Sequence, residues 1–316
     1  MHNYCTLFDS NYLTRGLAMY ESLKKCSNNF HLFIFAFDLR SYNLLKKLNL
    51  VSTTVISLKE FEDEELIEAK KDRTPVEYCW TCTPSVIKYC IENFNLDGCT
   101  YLDADLYFFS NPDVLIEEMG SKSILLTKHR YTPMYDQSLE CGIYNVQFLT
   151  FKNNKKAMKA LNWWRKNCIA WCYSRIEDGK MGDQKYLDDW TSRFEDVHVL
   201  EHLGGGVAPW NIQQYKLEEK AFELVFYHFH ALKFLLHNKV DLGNYKLRKE
   251  DIKLLYKPYL MHLEKIKNEI YIIDDNYNYH GILKPKKFYW KDPIRFIKRL
   301  LNKSYNIYSK NYILEL

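Results

Sequence analysis

The sequence lacks any apolar run of about 18 to 20 residues, the length that a membrane-spanning helix requires. Its first residues contain no basic stretch followed by an apolar stretch, so no secretory signal is predicted and a cytoplasmic location is expected. It also lacks a strong excess of one charge, because 44 basic residues face 40 acidic ones and the formal net charge is +4. The net charge therefore gives no reason to expect a nucleic-acid partner, and none is expected.

Internal repeats, low-complexity tracts and clear linkers are also missing from the 316 residues. With 47% hydrophobic and 27% charged residues, the chain is neither disordered nor fibrous and can bury a substantial core. At roughly 150 residues per domain, the length fits one large domain or one domain plus an appendage. We expect the domain over residues 1–245 and a helical C-terminal extension over residues 246–316, where the apolar spacing from Tyr259 to Ile270 gives one helical face.

Nine cysteines are an odd number in a chain far larger than a disulfide scaffold, so reduced and buried thiols are the expectation. Two spacings, Cys79 with Cys82 and Cys168 with Cys172, are compatible with zinc or redox chemistry. The second pair is predicted to lie one turn apart on the apolar stripe of a helix, where cysteine packs. Packing is the preferred interpretation for both pairs.

The first part of the chain alternates strand and helix patterns. Apolar runs at residues 4–8, 30–37 and 51–56 are separated by stretches with helical periodicity. Short strands that are apolar on both faces and alternate with helices are typical of a parallel sheet covered on both sides. The sequence therefore predicts an α/β layered fold.

Two aspartates follow directly after a predicted buried strand. Thr83 and Pro84 predict the N-cap and first residue of a helix that reaches about residue 94. The next strand, at residues 100–102, runs straight into Asp103 and Asp105. Open α/β sheets bind their ligands at the carboxyl ends of strands, so the position of this pair favours chemistry over packing.

Asp103 and Asp105 offer hard oxygen ligands that suit Mg²⁺ or Mn²⁺. An ion held by only two carboxylates keeps coordination positions open for a diphosphate. A solvated turn with two surface aspartates is one alternative. A phosphatase nucleophile is another, although such a pair is usually followed by a small flexible turn, whereas residues 106–109 here read Leu-Tyr-Phe-Phe.

A second group of candidate residues ends a later apolar strand. Alternation places His228 and His230 on one face of that strand, and Lys233 follows. A neutral imidazole can complete the coordination of an ion held by two carboxylates, and a lysine can neutralise a phosphate. For either histidine alone, a core residue bonded to a backbone carbonyl is the favoured interpretation. The grouping of two histidines and a lysine at a strand end favours function.

Three further segments carry weaker signals. Asp183 and Gln184 begin a short predicted helix, where they can bond hydroxyl groups, although Asp183 is also an ordinary N-cap residue. The glycine triplet at residues 204–206 can approach a ligand closely or can form a plain mobile loop. Trp210, in a polar loop, is the tryptophan best suited to stack on a sugar or base.

Taken in order, these segments resemble the GT-A fold glycosyltransferases that use nucleotide-diphospho-sugars, in particular glycosyltransferase family eight and related uncharacterised bacterial members. The resemblance implies a Rossmann-like mixed sheet flanked by helices, with the transferase domain at residues 1–245. It implies that the metal ligands are Asp103, Asp105 and either His228 or His230. It implies catalytic roles for Asp183 and Gln184, which read the donor sugar, and for Lys233, which binds phosphate. The residues expected at the nucleotide and donor sugar are Phe8, Asp9, Ser10, Asn11, Tyr12, Asp103, Ala104, Asp105, Asn145, Trp210 and Lys233.

The implied activity is metal-dependent transfer of a sugar, with Mn²⁺ or Mg²⁺ as cofactor. The donor is a nucleotide-diphosphate sugar, by family default a UDP-sugar, and the acceptor is a saccharide or lipid-linked molecule of bacterial surface glycan synthesis. The resemblance to family eight implies retention of the anomeric configuration. Three departures from the family pattern are visible: Ala231 replaces a glycine, Lys233 comes one residue early, and the Pro-Trp that often follows the lysine is absent. The choice between His228 and His230 therefore stays open, with the spacing to Ala231 favouring His228.

Two other functions use the same residues. A nucleotidyltransferase or metal phosphohydrolase would employ the Asp103–Asp105 pair, and a catalytically silent protein would bind saccharide without metal-dependent nucleotide affinity. Near the end of the chain, residues 292–303 form a basic amphipathic pattern that can rest on the inner face of an anionic membrane. A terminal helix packed on the domain is the alternative for that segment.

Overall fold

A computed structural model describes residues 1–219, 222–275, 280–283 and 292–316 of the chain. The strands are β1 (His2–Phe8), β2 (Phe30–Ala36), β3 (Thr53–Ser57), β4 (Gly98–Leu102), β5 (Leu106–Phe108), β6 (Ile124–Lys128), β7 (Tyr144–Lys152), β8 (Val197–Val199), β9 (Phe226–His228), β10 (Lys233–Leu235), β11 (Lys239–Asp241) and β12 (Ile307–Ser309). The helices are α1 (Leu13–Cys26), α2 (Leu39–Leu48), α3 (Leu58–Phe61), α4 (Glu64–Lys70), α5 (Pro75–Asn93), α6 (Asp113–Glu117), α7 (Ser138–Cys141), α8 (Lys155–Ala170), α9 (Trp190–Arg193), α10 (Lys249–Asp251), α11 (Lys257–Tyr271), α12 (Asp292–Leu301) and α13 (Lys310–Glu315).

The central sheet has seven strands in the order β3-β2-β1-β4-β7-β6-β8. Strand β1 pairs in parallel with β2 and β4, whereas β7 is antiparallel to both β4 and β6. The last five residues of β1 are all buried, as expected for a strand whose two faces are both covered. Two apolar clusters cover the two faces of this sheet, which confirms the predicted α/β fold with a mixed sheet flanked by helices.

Helix α5 begins nine residues earlier than predicted, so the expected start at Pro84 is wrong. Thr74 and Glu77 form a capping box, and Pro75 occupies the first helical position. Pro84 lies inside the helix, where its missing N–H leaves the carbonyl of Trp80 without a helical partner. The helix begins at Pro75 because the capping box satisfies two backbone amide groups. Thr83 and Pro84 supply no such reciprocal pair.

The C-terminal residues pack onto the rest of the fold. Strand β12 pairs with β11, and helix α11 lies against α1. The carboxylate of Glu264 on α11 lies 2.8 Å from Nε2 of His280 and 2.7 Å from Nζ of Lys310. The segment after residue 245 thus contributes a strand as well as helices. Within the described ranges, no helix combines the length and the apolar character needed to span a bilayer.

The glycine triplet at residues 204–206 is buried, and its first residue packs closely against the backbone of another chain segment. A Cβ atom on Gly204 would lie only 1.8 Å from the carbonyl oxygen of Glu223, and the Gly204 carbonyl accepts a hydrogen bond of 3.0 Å from the amide of Val225. One residue further on, a Cβ on Gly205 would lie 2.7 Å from Leu200. This close approach of two chain segments explains the glycines and fixes the entry into β9.

We therefore expect Gly204→Ala to lower the free energy of unfolding by at least about 2 kcal/mol, because the new methyl group overlaps backbone that must then shift. Denaturant titration followed by circular dichroism measures this change. The matched control is Gly120→Ala, since a Cβ at Gly120 meets nothing within 4 Å and only its positive φ of 50° opposes the substitution. Equal stability of the two variants would contradict the assigned packing.

Candidate active site

The two aspartates predicted as metal ligands lie where β4 leaves the central sheet. Strand β4 ends at Leu102, and the amide of Leu106 donates to the Asp103 carbonyl at 3.2 Å, which closes a tight turn. Strand β5 then pairs antiparallel with β9 so that Leu106 lies opposite His228. Because this pairing fixes the register, His228 is carried to the turn that holds Asp103 and Asp105.

Asp103, Asp105 and His228 form one compact cluster. Nε2 of His228 lies 3.0 Å from Oδ1 of Asp105 and 3.7 Å from Oδ2 of Asp103. One ligand atom from each of the three residues lies within 4.8 Å of the other two. The side chain of His228 is 6% exposed and that of Asp103 is 29% exposed, so the cluster opens to solvent on the Asp103 side. Nδ1 of His228 has no hydrogen-bond partner among the described residues.

The electrostatics of the cluster follow from burial and charge. Burial raises the pKa of Asp103 to about 6, the charge of His228 opposes the rise, and the neighbouring Asp105 adds to it. Burial also acts to raise the pKa of Asp105, but the charge and hydrogen bond of His228 outweigh it and lower that pKa to about 2. Burial lowers the pKa of His228, yet the Asp105 carboxylate more than compensates and the net shift is upward. Positive charge is therefore strongly favoured between the two carboxylates.

The second histidine lies outside this cluster. The His230 ring centroid is 5.7 Å from that of His228, and His230 packs against Trp210 at 5.3 Å. His228 is consequently the histidine that the fold brings to the aspartates. Ala231, which stands where the resemblance in sequence leads us to expect a glycine, has a φ of 65°. An alanine in this left-handed conformation costs about 1 to 2 kcal/mol.

Asp183 adds a third carboxylate near the cluster. Burial raises its pKa to about 7, and the charge of Asp103 contributes further to the rise. The indole N–H of Trp164 donates to the Asp183 carbonyl at 2.9 Å and anchors this segment to helix α8. The neighbouring Gln184 makes a hydrogen bond within the protein: its side-chain amide donates to the carbonyl of Cys141 at 2.9 Å.

The loop after β1 lies at the same edge of the sheet as the cluster. Asp9 caps the short turn Ser10–Tyr12 by accepting from the amides of Asn11 and Tyr12. The hydroxyl of Ser10 donates to Asp38 at 2.6 Å, which ties this loop to the end of β2. Partial burial and the charge of Asp105 raise the pKa of Tyr12, so its phenol lies within electrostatic reach of the aspartates. Phe8, the last residue of β1, is buried under Gly16 of α1.

Asn145 and Trp210 are buried and make bonds inside the protein. The amide of Asn145 lies 2.9 Å from Nε2 of His129, and its Oδ1 accepts from the Gln147 amide at 2.7 Å. The indole N–H of Trp210 donates to the His129 carbonyl at 2.8 Å, and its ring contacts His228 edge-on at 5.5 Å. Both side chains therefore support the wall of the site, and their contacts to a sugar or base stay predictions.

Lys233 lies near the site without touching the carboxylates. It is exposed at the start of β10, opposite Asp241, and its charge contributes to a lowered pKa of His230 after burial and the charge of His228. Ala104, between the two aspartates, is buried at 7% exposure. Phosphate binding by Lys233 therefore remains a prediction from the sequence.

Sequence reasoning missed Arg15, a buried cation beside the site. Its guanidinium donates to the carbonyls of His280 at 2.9 Å and Leu232 at 3.2 Å, and it lies 4.4 Å above the Tyr12 ring. Arg15 thus connects the loop after β1, the segment after β9 and the C-terminal region. The only hint in the sequence is that Arg15 lies one helical turn after Tyr12. An arginine in the first turn of a helix belongs to no recognisable motif.

Neither Cys79 with Cys82 nor Cys168 with Cys172 belongs to a group of three or more potential metal ligands among the described residues. All nine cysteines, which lie within the described residues, carry free thiols. Helix α8 ends at Ala170, so the expectation that Cys168 and Cys172 share one helical stripe is wrong for Cys172. Both thiols are nevertheless buried in the core, as the packing interpretation requires.

No protein-family model matches the sequence. Two curated proteins of Bacillus subtilis strain 168 are similar to it, and both are named as uncharacterised. YfnD is 32% identical over 285 residues, which cover 85% of this chain and 90% of YfnD. The chain belongs to the same family as YfnD. YfnF is a more distant relative at 26% identity over 291 residues, covering 87% of this chain and 96% of YfnF.

Several solved structures share the architecture. The galactosyltransferase LgtC, solved with donor and acceptor sugar analogues, has a TM-score of 0.54 at 10% identity, over 83% of this chain and 95% of LgtC. The glycosyltransferase GlyE of Streptococcus pneumoniae TIGR4 has a TM-score of 0.52 at 14% identity, over 87% of this chain and 64% of GlyE. The bifunctional glycosyltransferase WbbM has a TM-score of 0.52 at 10% identity, over 86% of this chain and 51% of WbbM. These similarities establish the GT-A fold.

Repulsion between the buried carboxylates of Asp103 and Asp105 should destabilise the metal-free protein. With chelator present at neutral pH, Asp103→Asn should raise the unfolding midpoint by about 2 °C or more, because it removes one of two neighbouring negative charges. Differential scanning calorimetry measures the midpoint. Asp178→Asn is the matched control, since the Asp178 side chain is 82% exposed, and should leave the midpoint unchanged. A fall in the Asp103→Asn midpoint would refute the assigned repulsion.

Proposed function

We propose that the protein is a glycosyltransferase that moves a sugar from a nucleotide-diphosphate sugar to a saccharide or lipid-linked acceptor. The observation that supports this most is the cluster of Asp103, Asp105 and His228 at the carboxyl edge of a GT-A sheet. UDP as the nucleotide, retention of the anomeric configuration, membership of family eight and a place in bacterial surface glycan synthesis follow only from the resemblance in sequence. They are parts of the same proposal.

The cluster fits a divalent cation. Two carboxylates and one imidazole nitrogen lie within 4.8 Å of one another, within reach of a single ion. The lowered pKa of Asp105 and the raised pKa of His228 are consistent with a site that favours positive charge. Carboxylates suit Mg²⁺ and Mn²⁺, and the nitrogen ligand makes Mn²⁺ the better match. Asp103, Asp105 and His228 would hold the ion. When bound, it would supply electrostatic stabilisation for the charge that develops on a leaving nucleoside diphosphate.

The chain's own residues would bind and orient the donor. The loop from Phe8 to Tyr12 offers an aromatic ring and polar groups for the nucleotide, and Lys233 offers a cation for phosphate. The buried carboxylate of Asp183 can accept hydrogen bonds from sugar hydroxyls, because it lies close to Asp103 and away from bulk water. We assign no residue as nucleophile. Asp183 and Gln184 are proposed to orient the donor sugar ring, and Asn145 is proposed to face that sugar.

Hydrolysis of candidate nucleotide sugars in the presence of Mn²⁺ tests the proposal. We expect Asp105→Ala to lower kcat at least about 100-fold, since a lost metal ligand removes several kcal/mol of transition-state stabilisation. Release of a nucleoside diphosphate, measured by liquid chromatography, is the expected product pattern. Asp178→Ala is the control and should keep kcat within about twofold.

Other results of that experiment would contradict glycosyl transfer. Release of pyrophosphate would indicate a nucleotidyltransferase, and release of inorganic phosphate would indicate a phosphohydrolase. Absence of turnover, together with saccharide binding but no Mn²⁺-dependent affinity for UDP, would indicate a silent binding protein. Turnover by Asp105→Ala within about threefold of wild type would remove the proposed metal role.

The C-terminal helix α12 is proposed to contact an anionic membrane, which suits a lipid-linked acceptor. Its apolar side chains Ile294, Ile297 and Leu301 are 58%, 54% and 77% exposed. Arg299 is bound to Asp241 on β11 at 2.7 Å, so the helix is anchored to the body of the protein by one side. An exposed apolar face near basic residues is the pattern of an interfacial helix.

Sedimentation with vesicles that contain anionic phospholipid tests this contact. We expect the triple variant Ile294→Gln, Ile297→Gln, Leu301→Gln to lose most vesicle binding, because its apolar face no longer enters the interface. Leu139→Gln is the control, since Leu139 is 91% exposed elsewhere on the surface. Equal sedimentation of the triple variant and the wild type would contradict the membrane role.

A further inference from the structure

Three cysteines that are far apart in the sequence meet in the core. Cys5 lies on β1, Cys99 on the neighbouring strand β4, and Cys90 on helix α5. Their Sγ atoms all lie within 4.8 Å of one another, and the three residues are at most 1% exposed. The parallel pairing of β1 with β4 and the packing of α5 on both strands bring them together. We refer to these three residues as the thiol cluster.

The three sulfurs differ in their affinity for protons. Burial raises the pKa of Cys5 and of Cys90 well above the usual thiol value, so both remain protonated. Burial acts in the same direction on Cys99, but donation from the Cys5 and Cys90 thiols and from the Thr100 amide outweighs it and lowers the pKa of Cys99. The Cys99 sulfur is therefore in hydrogen-bonding contact with the thiols of both Cys5 and Cys90.

The size of the cluster suits one metal ion held by three sulfurs. A metal–sulfur bond of about 2.3 Å places the ligands of a trigonal site about 4 Å apart, which is compatible with Sγ atoms that all lie within 4.8 Å of one another. All three cysteines belong to one hydrophobic core cluster, together with Val86 and Ile87, which lie about one helical turn before Cys90 on α5. Among the described residues that can ligate a metal, no fourth one joins this group.

Ligand type and coordination number select the ion. Soft sulfur ligands favour Cu(I) and zinc, and they disfavour Mg²⁺ and Mn²⁺. Zinc is almost always four-coordinate in structural sites, and the apolar surroundings supply no fourth ligand.

We propose that Cys5, Cys90 and Cys99 form a site for one Cu(I) ion. Any thiol proton that binding displaces passes to solvent. Because β1 leads into the loop Phe8–Tyr12 and β4 leads into Asp103, the ion would join the two strands that carry the candidate active site. The cluster is separate from the aspartate site and does not depend on the function proposed for it.

The test loads the reduced full-length protein with Cu(I) in the absence of oxygen, against a chromophoric Cu(I) chelator. We expect one equivalent of copper to resist the chelator and to raise Tm by about 5 °C. Cys90→Ala and Cys99→Ala should lose both effects. Cys168→Ala is the matched control, because Cys168 is an equally buried helical cysteine outside the cluster, and it should keep both.

Several outcomes would overturn the proposal. These are a wild-type protein that yields all its copper to the chelator, a Cys90→Ala variant that retains it, and a Cys168→Ala variant that loses it. X-ray absorption at the copper edge of the loaded wild-type protein provides a second test that needs no variant to fold. Three sulfur ligands at about 2.3 Å support the site, and nitrogen or oxygen ligands contradict it.

Discussion

The candidate active site depends on the pairing of two short strands, β5 and β9, outside the central sheet. This pairing sets Leu106 opposite His228, and it carries the imidazole to a turn that lies more than 100 residues earlier in the chain. The close approach of Gly204 to Glu223 fixes the path into β9. A shift of one residue in that register would turn His228 away from the aspartates and would leave two carboxylates without a compensating charge.

The site concentrates negative charge that the fold alone does not neutralise. Asp103 and Asp183 both have raised pKa values, chiefly because burial disfavours their ionised forms. Clustered carboxylates of this kind reduce stability unless a cation or hydrogen-bonding ligand is bound, and they are typical of functional sites. The buried Arg15 and His228 compensate only part of this charge. The arrangement therefore favours binding of a substrate together with a cation.

The sequence predicted the features that depend on local pattern. Buried parallel strands read as continuous apolar runs, and the aspartates could be placed because they directly follow such a strand. The start of α5 was mispredicted because Pro84 resembled a first helical residue, while the capping box of Thr74 and Glu77 decided the boundary. Arg15 and the thiol cluster could not be predicted, since they depend on contacts between segments whose register only the folded chain defines.

Manganese binding measured by titration calorimetry tests the central claim most directly. The account predicts one Mn²⁺ site in the wild-type protein, lost in Asp105→Ala and in His228→Ala and tightened by UDP. His230→Ala should retain the site, because that ring lies outside the cluster. Undiminished Mn²⁺ affinity in His228→Ala, or its loss only in His230→Ala, would contradict the account.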